Sequence, residues 1–194
     1  MSDNITGVVL AGGRARRMQE RDKGLLPVAG RPLVSWTIDK LKPQTGAPLI
    51  NANRNAEQYS VFGEVIADIH SGYCGPLAGI HAGLCAAKTE WALFVPCDSP
   101  FLPDNLAQTL FAAAGDENVE LVVAVSGGRA QPVFMLAKTK LAQHLDDFIN
   151  GGGRKIDLWY PQTSHATATF ADADCFININ TPEDLEAAAT RLRA

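Results

Sequence analysis

The sequence predicts an α/β sandwich built on a mostly parallel sheet, and three observations carry that prediction. Short apolar, β-branched runs alternate along the chain with segments of helical periodicity, as βαβ units require. The early strand ends, and the last one, each deliver a glycine or a polar side chain to what should be one sheet edge. No internal repeat, low-complexity tract or domain linker interrupts the 194 residues, so the expectation is one domain over 1–194.

In chain order, Val8, Val9 and Leu10 form the first buried strand, which stops at Gly12-Gly13. Val34, Ile38 and Leu41 recur at helical spacing, and Pro43 is expected to end that helix. Residues 48–53 (PLINAN) form the second strand, and Val65-Ile66 a short third that runs out at Asp68. Gly75-Pro76-Leu77 opens a helix with Leu77, Ile80 and Leu84 on one face, followed by a buried strand over Trp91–Val95 that reaches Pro96-Cys97-Asp98. Pro103 starts a helix with Leu106 and Leu110 inward. Leu121–Val125 and Pro132–Leu136 flank the Gly127-Gly128 turn as two antiparallel strands. Residues 138–150 are expected to be helical, Asn150-Gly151-Gly152-Gly153 to form a flexible joint, and Phe176-Ile177 to be the last strand. The final helix has Thr181 as cap, Pro182 in the first turn with Glu183 and Asp184, and an apolar stripe of Leu185, Ala188, Ala189 and Leu192.

The loop after the first strand carries the chemistry. Gly12-Gly13 allows close approach of a ligand to the backbone and frees amide N–H groups. Arg14, Arg16, Arg17 and Lys23 then supply cations for phosphate oxygens. A Walker A loop needs GxxxxGK[ST], which no segment matches, and GxGxxG does not fit Gly12-Gly13-Arg14. A P-loop kinase is thereby excluded, while an ordinary polar loop stays open at this point.

Composition narrows the class further. Hydrophobic residues make 46% and charged residues 20%, ordinary for a soluble enzyme. A formal charge of −4 argues against general nucleic-acid binding. No apolar run reaches the ~20 residues that span a bilayer, and the N-terminus lacks a signal-peptide pattern, so a cytoplasmic protein without membrane or nucleic-acid partners is expected. Cys74, Cys85, Cys97 and Cys175 show no CxxC pair. His70-x3-Cys74 and His81-x3-Cys85 would supply four zinc ligands, but Gly75-Pro76 forces a turn between the halves. Buried or partly buried thiols are therefore the expectation.

The residues just beyond each strand are the candidates: Gly12, Gly13 and Lys23, then Asn51, Asn53 and Arg54, then Asp68, Asp98, and finally Asn178 and Asn180. Asp98 stands out. A carboxylate set directly after a buried WALFV run has lost hydration and needs a partner, and a divalent cation shared with substrate phosphates is a natural one. A helix cap or turn is the bland alternative there, as turn residues are for Asn178 and Asn180.

The longer pattern LAGG-x-A-x-R-M-x-x-x-D-K, with NANRN, Asp68, GPLAGI, FVPCDSPFL and FININTPEDL after it, resembles the nucleotidyltransferases of the pyrophosphorylase type. It is most similar to the molybdenum cofactor guanylyltransferases. The resemblance runs over nearly the whole chain and is weakest between 115 and 165. It implies a three-layer α/β/α sandwich with a mostly parallel, Rossmann-like nucleotidyltransferase sheet, whose N-terminal part binds nucleotide and whose C-terminal part binds molybdopterin. Carried over by position, it implies that Leu10, Ala11, Gly12, Lys23, Asn51, Asp68 and Asp98 bind GTP, with Asp98 also holding Mg2+. Gly13 and Arg17 extend the phosphate loop, and Arg154, Asn178 and Asn180 are the candidates for the pterin side. Two positions depart from the family: Gln19 where glycine commonly follows Arg-Met, and Gln131 where histidine commonly precedes proline.

The implied reaction is transfer of GMP from GTP to the terminal phosphate of Mo-molybdopterin, with Lys23, Asp98 and Arg17 as catalytic residues. A phosphate monoester is largely dianionic at neutral pH and needs no general base, consistent with the lack of a Ser-His-Asp or Cys-His pattern. A monomer is expected, with molybdenum-insertion and cofactor-delivery proteins as partners. The rivals are a CTP-dependent molybdopterin cytidylyltransferase, a sugar-1-phosphate nucleotidyltransferase, and a non-catalytic nucleotide-binding module, which would lack the metal carboxylate. LAGG rather than LAAG favours GTP, since the missing methyl lets a guanine ring lie closer to the backbone.

Overall fold

The computed structural model describes residues 4–12, 22–72 and 74–193. In chain order they form β1 (Ile5–Leu10), β2 (Pro27–Val28), β3 (Arg31–Pro32), α1 (Leu33–Thr45), β4 (Leu49–Asn51), α2 (Ala56–Ser60), β5 (Val65–Ile66), α3 (Pro76–Ala86) and β6 (Trp91–Pro96). Then come α4 (Leu106–Ala113), β7 (Leu121–Ser126), β8 (Arg129–Lys138), α5 (Ala142–Asn150), α6 (Ile156–Trp159), β9 (His165–Phe170) and α7 (Pro182–Arg191). Seven strands make one sheet in the order β5-β4-β1-β6-β8-β7-β9, and β2 and β3 pair apart from it. Strands β5, β4, β1 and β6 are mutually parallel, β8 runs antiparallel to β6 and β7, and β9 is parallel to β7.

The continuous apolar runs of β1 and β6 follow from cover on both faces. Val8, Ala92 and Phe94 pack with Leu77, Ile80 and Leu84 of α3 and with Leu145 and Ile149 of α5. Val9, Leu93 and Val95 point the other way, onto Val34, Ile38 and Leu41 of α1 and Leu106 and Leu110 of α4. Helices on both faces of one sheet make three layers, as expected. A smaller core of Val28, Leu33, Ile179 and Ala188, joined by Leu185, Ala189 and Leu192, seats α7 against β2. Helix α7 begins as its sequence predicts: the Thr181 side chain and Asp184 form a reciprocal capping box, with Pro182 in the first turn.

The structure corrects several expectations. Helix α1 runs through Pro43 and ends at Gly46, whose φ of 74° is a left-handed exit. Proline's fixed φ is itself helical and its cost is one missing amide donor, which the burial of Leu41 and Thr45 outweighs. The helix expected over 138–150 begins only at Ala142, because β8 continues to Lys138 and a 3-10 turn takes Thr139–Leu141. The helix expected from Pro103 starts at Leu106. Strand β8 is longer than Pro132–Leu136 and tolerates Pro132 because its register with β7 slips there, leaving residues 132–134 out of the ladder. Phe176 lies in a 3-10 turn (Ala173–Phe176), and the last strand is His165–Phe170. Its HATATF run alternates outward polar and inward apolar residues, as a strand with one exposed face does, but two of the three inward residues are alanines, which carry little hydrophobic signal.

Candidate active site

Because β4, β1 and β6 are parallel, their C-terminal ends open on the same edge. The chain leaves β1 over one face through α1 to β4, and later crosses the other face through α3 into β6. The strand order therefore reverses between β1 and β6, which places a crevice at their carboxyl ends. Past the last ladder pairs, the Ala11 amide donates to the Asn51 carbonyl at 2.8 Å and the Cys97 amide to the Leu10 carbonyl at 3.0 Å. These two bonds hold the segments after three strands together. A Cβ on Gly12 would stand 3.1 Å from Asn51 Oδ1 and 3.2 Å from Asn53 Nδ2, so glycine leaves room for both amides.

On the β6 side stands Asp98, 8% exposed. Lys23 Nζ donates to Asp98 Oδ2, and also to Asn180 Oδ1 at 2.7 Å. Asp98 Oδ1 is buried and has no hydrogen-bond partner among the described residues. A half-satisfied buried carboxylate is costly and calls for a further cation or donor. The segment carrying Asn178 and Asn180 is fastened to the same edge. The Ile179 amide donates to the Asp98 carbonyl at 3.1 Å, and Ser99 Oγ donates to Asn178 Oδ1 at 2.7 Å. The Asn180 amide donates to Asp184 Oδ2 at 2.8 Å.

On the β4 side, Asn51 Nδ2 donates to Asp68 Oδ1 at 2.9 Å and Asn53 Nδ2 to Asp68 Oδ2 at 2.7 Å. The Asp68 amide donates back to Asn53 Oδ1 at 2.8 Å. The structure thus joins Asn51 and Asp68 into one polar cluster and Lys23, Asp98 and Asn180 into another, on either side of Gly12. Arg154 is not in either cluster: its guanidinium donates to the carbonyls of Ile149 and Gly153, both at 2.7 Å. Gly13 and Arg17, with Arg14 and Arg16, lie outside the described residues.

Residues 7–189 match the MobA-like NTP transferase domain. The chain belongs to this family. A molybdenum cofactor guanylyltransferase of Shewanella putrefaciens strain CN-32 is 47% identical over 183 residues, covering 93% of this chain and 94% of the relative. Another from Shewanella sp. strain MR-4 is 44% identical over 194 residues, covering 99% and 98%. Among solved structures, molybdopterin-guanine dinucleotide biosynthesis protein A from Archaeoglobus fulgidus aligns with a TM-score of 0.81 at 24% identity, covering 97% of this chain and 98% of that one, a likeness of fold.

This MobA-like domain also holds supporting residues that no sequence pattern marks. Tyr59, fully buried, donates its hydroxyl to Asp22 Oδ1, and Asn55 Nδ2 donates to Asp22 Oδ2 at 3.0 Å. This anchors the residue just before Lys23. Burial, with the neighbouring Cys97 and Asp22, pushes the Tyr59 phenol far above its ordinary range and keeps it a donor. Burial next to Asp98 likewise raises the Cys97 thiol, so it is inert. Gly24 allows the approach: a Cβ there would stand 2.5 Å from the Tyr59 hydroxyl. Gly79 of α3 does the same for Asn51, whose side-chain oxygen occupies the space a Cβ would need. The glycines are visible within the DKG and GPLAGI segments, but nothing local identifies Tyr59 as a partner.

Proposed function

We propose that this chain transfers GMP from GTP to the terminal phosphate of Mo-molybdopterin, forming molybdopterin guanine dinucleotide and releasing pyrophosphate. The observation that carries the reading is the meeting of Lys23 and half-satisfied Asp98 at the switch-point edge of the parallel sheet. Relatives bearing the guanylyltransferase name across nearly the full length support it.

In this reading the Gly12 turn and the Asn51–Asp68 cluster bind the nucleotide, together with Leu10, Ala11 and Gly13. Lys23 neutralises the phosphates, aided by Arg17. Asp98 fits a divalent cation, taken as Mg2+: its Oδ1 is a buried, unpartnered hard oxygen donor. When bound there, the cation would neutralise negative charge on the phosphate oxygens. The chain's own work is positioning and charge neutralisation, because the attacking phosphate is already an anion. Asn178 and Asn180, held beside Asp98 through Ser99, Lys23 and the Ile179 amide, and Arg154 are assigned to the pterin side. The whole chain acts as one domain and as a monomer in the cytoplasm, meeting the proteins that insert molybdenum and receive the product.

Calorimetry of GTP and CTP binding, with and without Mg2+, on the wild type and Asp98→Ala tests this. Tight GTP binding with CTP inert, and loss of the Mg2+ dependence in the variant, is the expected result. Preference for CTP would move the chain to a cytidylyltransferase.

A further inference from the structure

Three imidazole and carboxylate donors converge away from the nucleotide edge, where the segment after β5 meets α3 and α5. His70 Nε2 lies 3.0 Å, and His81 Nε2 3.7 Å, from Asp146 Oδ1. The donor atoms of all three lie within 4.8 Å of one another. Cys85, one turn beyond His81 on α3, brings its Sγ to 3.5 Å from His81 Nε2. The Gly75-Pro76 turn therefore does not keep the two histidine-bearing segments apart: their ring centroids are 4.8 Å from each other. Cys74 is not with them; it is buried in the core with Leu77 and Trp159.

The spacings of Asp146 to the two imidazoles and of Cys85 to His81 are close to those of a tetrahedral cation, and the donor atoms farthest apart, within 4.8 Å, would close onto the ion. With nitrogen or oxygen ligands at ~2.0–2.1 Å and a thiolate at ~2.3 Å, ligand–ligand edges are about 3.3 Å and about 3.5 Å. The side chains are also short of partners. His70 Nε2 and His81 Nδ1 are both buried without a hydrogen bond among the described residues, and His81 is 5% exposed. The Asp146 oxygen near His70 is within reach by distance but outside hydrogen-bonding direction. Leaving an imidazole nitrogen buried and unpaired is costly, and a cation beside Asp146 would take the His70 Nε2 lone pair, with His81 offering Nε2 on the side of Asp146 and Cys85.

We propose that His70, His81 and Asp146, with Cys85 as fourth donor, form a divalent-metal site of the zinc class. The mixed nitrogen, oxygen and sulfur donors select such an ion over Mg2+, which takes oxygen ligands. The consequence is positional. His70 lies two residues beyond Asp68, so a metal bond would pin the Asp68 segment onto α3 and α5. That consequence rests on the assignment of Asp68 to the nucleotide, whereas the metal site itself does not.

The test uses the full chain, stripped with chelator and titrated with Zn2+ or Co2+ in the absence of nucleotide. One equivalent should bind and raise the thermal midpoint. The Co2+ form should show tetrahedral d–d absorption and a thiolate charge-transfer band that Cys85→Ser abolishes. His70→Gln and Asp146→Asn, both at partly exposed positions, should weaken binding at least about tenfold while circular dichroism stays native. Failure of the wild type to bind stoichiometrically, or binding unchanged in the His70→Gln and Asp146→Asn double variant, would overturn the site. GTP calorimetry on the same stripped protein keeps that failure distinct from failure of the guanylyltransferase reading.

Discussion

Lys23 Nζ is bonded to one oxygen of Asp98 while the other oxygen of the same carboxylate is buried and unpartnered among the described residues. The lysine reaches Asp98 from the 3-10 turn Lys23–Leu25, and the aspartate comes from just beyond the end of β6. The pair spans the crevice where the strand order reverses, the place assigned to the phosphate chain in the proposed function. In the proposed reading, Lys23 already rests against the carboxylate assigned to the metal, so a nucleotide and its metal would replace one set of charge contacts with another rather than create them from bare charges.

Asp98→Asn is expected to lower GMP transfer by about 10²–10³-fold, the cost of losing a preorganised charge contact to the reacting phosphates. Lys23→Ala should cost about ten- to a hundredfold, chiefly through KM for GTP, as a charged hydrogen bond is lost. Because the two groups touch, the double variant should lose less than the product of the single losses. Steady-state kinetics of all three forms check this, and near-normal turnover in Lys23→Ala would remove its assigned role.

Gly79→Ala sets two effects against each other. Alanine is worth about 1 kcal/mol over glycine in a helix interior. Here, however, the new methyl would overlap the Asn51 side chain and come within 3.0 Å of Leu10 Cδ2. Overpacking of about 1–3 kcal/mol should win, lowering the denaturation midpoint and raising KM for GTP as Asn51 is displaced from Asp68. A midpoint above the wild type would refute this account of Gly79.

Tyr59→Phe leaves Asp22 with one fewer donor and should destabilise the fold by about 0.5–1.5 kcal/mol. Since burial holds the phenol un-ionised well above the ordinary tyrosine range, the variant and the wild type should show the same phenolate amplitude in alkaline titration until they unfold. A smaller amplitude in the variant would mean that Tyr59 is ionising in the native state.

The Asn180 and Thr181 amides that donate to Asp184 hold its carboxyl below the ordinary range. A depressed folded value means the stabilisation is fully present above the unfolded carboxylate value and is lost as pH falls through the folded one. Acidification should therefore loosen α7 and the Asn178–Asn180 segment. Asp184→Ala should remove that part of the acid sensitivity, which thermal midpoints measured across the acid range would reveal.

Elements defined by their own residues were legible from the chain alone. The apolar runs of β1 and β6 announce strands covered on both faces, and Thr181-Pro182 with Asp184 announces the start of α7, because burial period and capping chemistry act within a few residues. The strand ends likewise named Asn51, Asp68, Lys23 and Asp98 as polar groups on one edge. Their pairing was not legible. Lys23 with Asp98, Tyr59 with Asp22, Asn51 with the space left by Gly79, and Asp146 with the His70 and His81 that spacing had already grouped all join residues from different elements, brought together by layer packing and strand order. The departures lie where local signals are faint or overridden: β9 alternates, but its inward face is mostly alanine, and Pro43 continues its helix because tertiary burial outweighs one lost hydrogen bond.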